Sequence, residues 1–114
     1  NMGLVLWRNG YDGVMHYAYR HGFTHIWNDF DNERRDHAFV LPTVDGLIDT
    51  LAWEGVREGI DDTRYLAALL DAIDGSRDPS AAAAARDFIE NVTLSAIMDE
   101  VRAQIVDWIL RLRG

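Results

Sequence analysis

Cysteine and lysine are both missing from this chain of 114 residues. Without cysteine there is no disulfide framework, no thiolate nucleophile and no cysteine zinc site. Without lysine there is no Walker-type phosphate loop, and the chain carries neither a GxGxxG nor a GxSxG pattern, which sets aside the usual nucleotide folds and serine esterases. Positive charge is scarce: 11 basic residues, all arginine, stand against 19 acids, for a formal net charge of -8. Such a balance repels phosphate backbones and anionic headgroups, so neither nucleic acid nor a membrane surface is an expected partner. Long apolar runs are missing too. None approaches the roughly 20 residues that span a bilayer. The opening NMGLVLWRNG lacks the apolar core and small-residue cleavage site of a signal peptide, which leaves a cytoplasmic location as the default expectation.

What is present is enough for one modest domain over residues 1–114. Hydrophobic residues make up 48% of the chain, which argues for a packed core and against disorder. The expected class is α+β and predominantly helical, with a short helix, a strand and a long loop over residues 1–44 and a three-helix portion over residues 45–114. LVLWRNG at residues 4–10 reads as a short helix stopped at Asn9-Gly10, with a hairpin strand as the alternative. GVMHYAY at residues 13–19 reads as a strand buried on both faces, Val14, His16 and Ala18 on one and Met15, Tyr17 and Tyr19 on the other. Residues 20–37 form a long polar loop studded with Phe23, Trp27 and Phe30, of a length usually tied to function. AFVLP at residues 38–42 is a short extended run closed by proline.

A long helix is expected to begin between Asp45 and Asp49 and to run through Asp74, with Gly75 as its stop. Asp78 caps a second helix whose first residue is Pro79. A third fills residues 94–112, where Leu94, Met98, Val101, Ile105, Trp108 and Leu112 form one apolar stripe and Asp107 pairs with Arg111 on the wet side. The first of these helices contains WEGVREGIDDTRYL, residues 53–66, with two glycines four apart amid dense charge. Each glycine costs about 1 kcal/mol in a helix interior, so close approach of another element is the expected compensation at both Gly55 and Gly59. Trp53, Val56, Ile60 and Ala67 line one flank of the helix. Leu51, Gly55, Gly59, Leu66, Leu70 and Ile73 line the next. Glu54, Arg57, Asp61 and Arg64 are spaced for i,i+3 and i,i+4 pairing. They form either a solvated ladder or an inward charge network that pins neighbouring loops, and the flanking apolar residues favour the inward form.

WEGVREGIDDTRYLAALL, with LWRNGYDGVMHYAY and WNDFD…FVLPTVDGLIDTLAWEG upstream, resembles the carboxyl-terminal region of glycoside-hydrolase-like bacterial barrel proteins. These are of the DUF4091 type, related to the family 123 β-N-acetylgalactosaminidases. The resemblance covers roughly residues 3–75 and is most specific in REGIDD-x-RYL. It implies a (β/α)8-barrel parent acting on carbohydrate, to which this chain supplies the last strand, a substrate-side loop and a closing helical layer. The family's catalytic Asp-Glu pair lies earlier in the barrel and is not recognisable here. The chain alone is therefore expected to be catalytically silent, and no catalytic residue is assigned.

Within the loop, Asp29 and Asp31 are the best local carboxylates, and Trp27 and Phe30 are suited to stacking on a sugar face; these four are the candidate substrate-binding residues. DFDNE opens like a calcium loop, but Arg34 and Val40 stand where an EF-hand needs glycine and glutamate. His16, His21, His25 and His37 match no zinc pattern. No metal or cofactor is expected. The alternative function is a small helical interaction module without catalysis. A lone two-sided strand leaves edges and apolar faces that invite partners, so a homo-oligomer is expected.

Overall fold

The structure is a computed structural model and describes residues 2–16, 19, 38–93 and 98–114. Along these the chain forms helix α1 (Met2–Arg8), strands β1 (Val40–Pro42) and β2 (Leu47–Asp49), and helices α2 (Leu51–Asp74), α3 (Pro79–Asn91) and α4 (Met98–Arg113). The class is α+β and mostly helical, with one two-stranded antiparallel sheet. The chain divides into two compact units, one of residues 1–12 with 59–114 and one of residues 13–58. Residues 51–58 of α2 thus belong to the hairpin unit, and residues 59–74 to the helical unit.

Local chemistry sets the ends of the helices in the helical unit. Gly10 adopts φ 68°, the left-handed conformation that lacks a steric penalty only for glycine. Its N–H donates to the Trp7 carbonyl at 2.9 Å, and the Tyr11 N–H donates to Leu6 at 3.0 Å. That pair of bonds is a Schellman closure of α1. Asp78 caps α3: its carboxylate accepts from the backbone N–H of Ser80 at 2.9 Å and of Ala81 at 3.0 Å, with Pro79 at the first helical position.

The core of this unit joins Leu4 of α1, Leu66, Leu69, Ala72 and Ile73 of α2, Ala85 and Ile89 of α3, and Val101, Ile105 and Leu112 of α4. On α4 the expected stripe is the buried one: Val101, Ile105 and Leu112 are buried, and Met98 and Trp108 pack partly against them; Leu94 lies outside the described residues. Arg111 does not pair with Asp107. Its guanidinium lies 5.2 Å from the centre of the Trp108 ring, a cation–π contact that keeps the indole face covered.

On α2 the phase differs from expectation. The buried face is Gly59, Asp62, Leu66, Leu69 and Ile73, a four-three alternation that turns Ile60 and Ala67 outward. Close approach is seen at Gly59 and, among the described residues, not at Gly55. A Cβ on Gly59 would sit 3.1–3.2 Å from Met2 side-chain carbons, and a Cβ on Gly3 would sit 2.5 Å from the Gly59 carbonyl oxygen. The two glycines let α1 and α2 cross backbone to backbone. Gly55 is exposed, and among the described residues nothing lies within 4 Å of where its Cβ would be.

The hairpin unit departs further. Residues 13–16 are not a strand, and Val14 and Met15 are exposed rather than buried. β-Branched and aromatic residues favour strands only where a neighbouring strand or packed face receives them. Among the described residues the sheet is confined to β1 and β2, paired Val40 to Asp49, Leu41 to Ile48 and Pro42 to Leu47. Residues 47–49, expected within or at the edge of the long helix, form the second strand, and the helix begins at Leu51.

Candidate functional site

The hairpin and the first two turns of α2 are organised around Thr50. Its N–H donates to the Phe39 carbonyl at 3.0 Å, closing the hairpin. Its hydroxyl donates to the same carbonyl at 2.9 Å, with the Ala38 carbonyl as a second, shared acceptor at 3.1 Å. The Thr50 carbonyl accepts from the Glu54 N–H at 3.1 Å, and its Oγ1 also receives the Trp53 N–H at 3.4 Å. One residue therefore ends β2 and caps α2.

Beside it Trp53 meets Tyr19 edge-on with ring centres 5.9 Å apart, and Phe39 at 6.1 Å. Phe39 in turn meets His16 edge-on at 5.3 Å. These offset contacts are the favourable geometry for aromatic quadrupoles. Together with Val40, buried at 1% exposure, they form the packed centre of this unit among the described residues.

Several apolar side chains of the same hairpin and of the helix start after it are exposed. Val44 is 100% and Leu51 92% exposed, and Leu47 and Ile48 are each about half exposed. Single exposed aliphatic residues need no explanation, but four within eight residues of one hairpin and helix start do. The sequence spacing hid this surface. Positions 44, 47, 48 and 51 are three, one and three apart, which is also the spacing of a helix face.

The candidate substrate-binding residues Trp27, Asp29, Phe30 and Asp31 lie outside the described residues. The charge network is placed in full. Arg57 and Glu54 pair at 2.8 Å, and Arg64 and Asp61 pair at 2.8 Å, both i,i+3. Glu54 and Asp61 keep 43% and 45% of their side chains exposed, so neither is turned into the core, and pairs of this kind contribute about 0–1 kcal/mol.

The inward charge is Asp62, one position further on and 3% exposed. Its carboxylate accepts from Arg102 Nε at 2.6 Å, and Arg102 Nη1 also reaches Asp99 at 3.0 Å. The signal for Asp62 was its place in the run 59, 62, 66, 69, 73, where an acid interrupts an otherwise apolar face. Two more arginines tie helices together. Arg8 donates through Nη2 to the carbonyls of Ile89 at 3.1 Å and Val92 at 2.8 Å, satisfying the free end of α3 with positive charge where the helix dipole is negative. Arg86 bonds Asp74 at 3.1 Å. These are structural ties rather than a reactive constellation, and among the described residues no three His, Asp or Glu side chains gather to hold a metal ion.

Comparison with known proteins finds no family model, no curated protein and no solved structure that matches the chain. No helix among the described residues is long and apolar enough to cross a membrane.

Proposed function

We propose that the chain is a non-catalytic interaction module, a helical scaffold that presents an apolar hairpin surface to a protein partner. The observation that carries this reading is the exposure of Val44, Leu47, Ile48 and Leu51 in a chain whose helical unit buries its own apolar faces. Aliphatic side chains left in water add nothing to folding, and a patch of them on one hairpin is a common mark of a binding surface. The test needs no knowledge of the partner. Replacing Val44, Leu47 and Leu51 together by serine, glutamine and glutamine is expected to leave the thermal midpoint unchanged. A marked fall would mean that the folded chain covers these residues itself, and the reading would lose its support. In the homo-oligomeric form of this reading the partner is a second copy, and light scattering decides it: a monomer at high concentration removes that form.

A second reading rests on the resemblance carried by REGIDD-x-RYL at residues 57–66. In it the chain is the carboxyl-terminal part of a carbohydrate-active, glycoside-hydrolase-like barrel protein, with Trp27, Asp29, Phe30 and Asp31 on the substrate side and no activity of its own. Barrel-coding sequence in the reading frame upstream of Met2 would support it, and a stop there would remove it. Turnover of an aryl glycoside by this chain, abolished by Asp29→Asn, would overturn the silence that both readings share.

A further inference from the structure

Among the described residues, one edge of β2 has no strand or backbone partner on it. Thr43 donates to Gly46 and Thr50 donates to Phe39, so the residues facing each other in hydrogen-bonded pairs are 43 with 46, 41 with 48 and 39 with 50. By the alternation of an antiparallel ladder, Val40, Pro42, Leu47 and Asp49 turn their backbone groups away from the hairpin. On the β1 side that direction is occupied: the Val40 N–H donates to the Tyr19 carbonyl at 3.3 Å, and Pro42 has no N–H to offer, as suits an edge. On the β2 side, Leu47 and Asp49 present N–H and C=O groups with no partner among the described residues.

Short strands and a charged residue are common ways to blunt such an edge, and β2 has three residues, with Asp49 among them. Blunting does not call for exposed leucine, isoleucine and valine around it. We propose that the free edge of β2 receives an extended segment of another protein in which apolar residues alternate with arginine or lysine, a strand added to the hairpin. This rests on the interaction-module reading and names the partner's chemistry.

Charge decides between occupants. Asp45 and Asp49 flank the apolar positions, and both are exposed. Among residues 38–58 four acids stand against one arginine, Arg57, which pairs with Glu54. A second copy would set this acidic edge against its own like, in a chain whose net charge is already -8. A segment of alternating apolar and basic residues matches both the exposed apolar side chains and the field, and steering by that field makes its binding salt-dependent.

The experiment uses two capped, fluorescently labelled peptides, one of alternating valine and arginine and one of alternating valine and glutamate, titrated with the whole chain. Saturable binding of the arginine peptide is expected, weakening about tenfold between about 50 and about 500 mM salt, with none of the glutamate peptide. Leu47→Pro removes an outward N–H that makes no bond in the hairpin, so it is expected to abolish binding while the helical circular dichroism persists. Asp45→Asn with Asp49→Asn, which leaves the backbone intact, is expected to weaken binding several-fold and flatten the salt dependence.

Equal binding of the two peptides, no saturation at millimolar peptide, or full binding by both variants would overturn the proposal. So would dimerisation of the chain that Leu47→Pro abolishes, since a second copy would then hold the edge. If the peptides fail while the Val44, Leu47 and Leu51 replacements leave the midpoint unchanged, the edge assignment falls and the interaction module stands. If those replacements unfold the chain, both fall.

Discussion

Gly55 and Gly59 have the same residue type, the same helix and the same charged surroundings, yet opposite reasons for being there. At Gly59 the missing Cβ lets Gly3 of α1 come against the α2 backbone, and the reciprocal position is tighter still: a methyl on Gly3 would lie 2.5 Å from the Gly59 carbonyl oxygen. A carbonyl held in a helix cannot step aside as a side-chain tip can. Gly3→Ala is therefore expected to destabilise the chain by about 1–3 kcal/mol, through overpacking that outweighs alanine's better helix propensity. Gly55→Ala meets no described atom within 4 Å, so propensity acts alone and the variant is expected to gain roughly 0.5–1 kcal/mol. Urea midpoints of the two variants, moving in opposite directions from the parent, check both statements. Gly59 with its Met2 neighbours was legible as a close-approach position. Gly55 was not distinguishable from it, because the approach depends on which turn of α2 the amino-terminal helix crosses.

At the scale of the element, the start of α3 and the start of α2 show what local sequence can and cannot specify. Asp78 satisfies the Ser80 and Ala81 N–H groups two and three residues ahead. Everything it needs lies within one turn, and Asp-Pro announces it. Asp78→Ala is expected to cost about 1 kcal/mol, read as a lower thermal midpoint with unchanged helix content at low temperature. Thr50 also sits at a helix start, but its hydroxyl and N–H are engaged with the Ala38 and Phe39 carbonyls, 12 and 11 residues back. Only when the hairpin exists does residue 50 become the cap. From the sequence alone, the apolar spacing of Val44, Leu47, Ile48 and Leu51 extends the helix backward to Asp45. Of the strand expected at residues 13–19, residues 13–16 are not extended into a sheet for a related reason, since among the described residues no neighbouring strand receives them.

At the scale of the whole molecule, Asp62 and Arg102 are 40 residues apart in sequence and join α2 to α4. Asp62 is the one buried charged residue among those described, and Arg102 is 19% exposed. Removing one partner strands a carboxylate in a place shut off from water, whereas removing both leaves only a packing problem. Arg102→Leu is therefore expected to cost about 3–5 kcal/mol, and Asp62→Leu with Arg102→Leu to recover most of that loss. A double-mutant cycle by denaturant unfolding measures the difference, and additive losses would show that the pair is not coupled. The arginine-only basic set suits such ties, because a planar guanidinium donates along several directions at once, as Arg102 does to Asp62 and Asp99.

The sequence by itself determined whatever is settled within about a turn of chain: the Asn9-Gly10 stop, the Asp78-Pro79 start, the apolar stripe of α4, and the exclusions that follow from missing cysteine and lysine. Those outcomes depend on bond geometry and on groups only a few residues apart, which the order of residues already specifies. The tertiary structure alone decided which of two glycines is crossed, that an acid at position 62 faces inward, and that residues 47–49 pair as a strand whose apolar neighbours stay in water. Each of these depends on a partner brought from 5 to 57 positions away along the chain. Residue spacing constrains such a meeting only weakly.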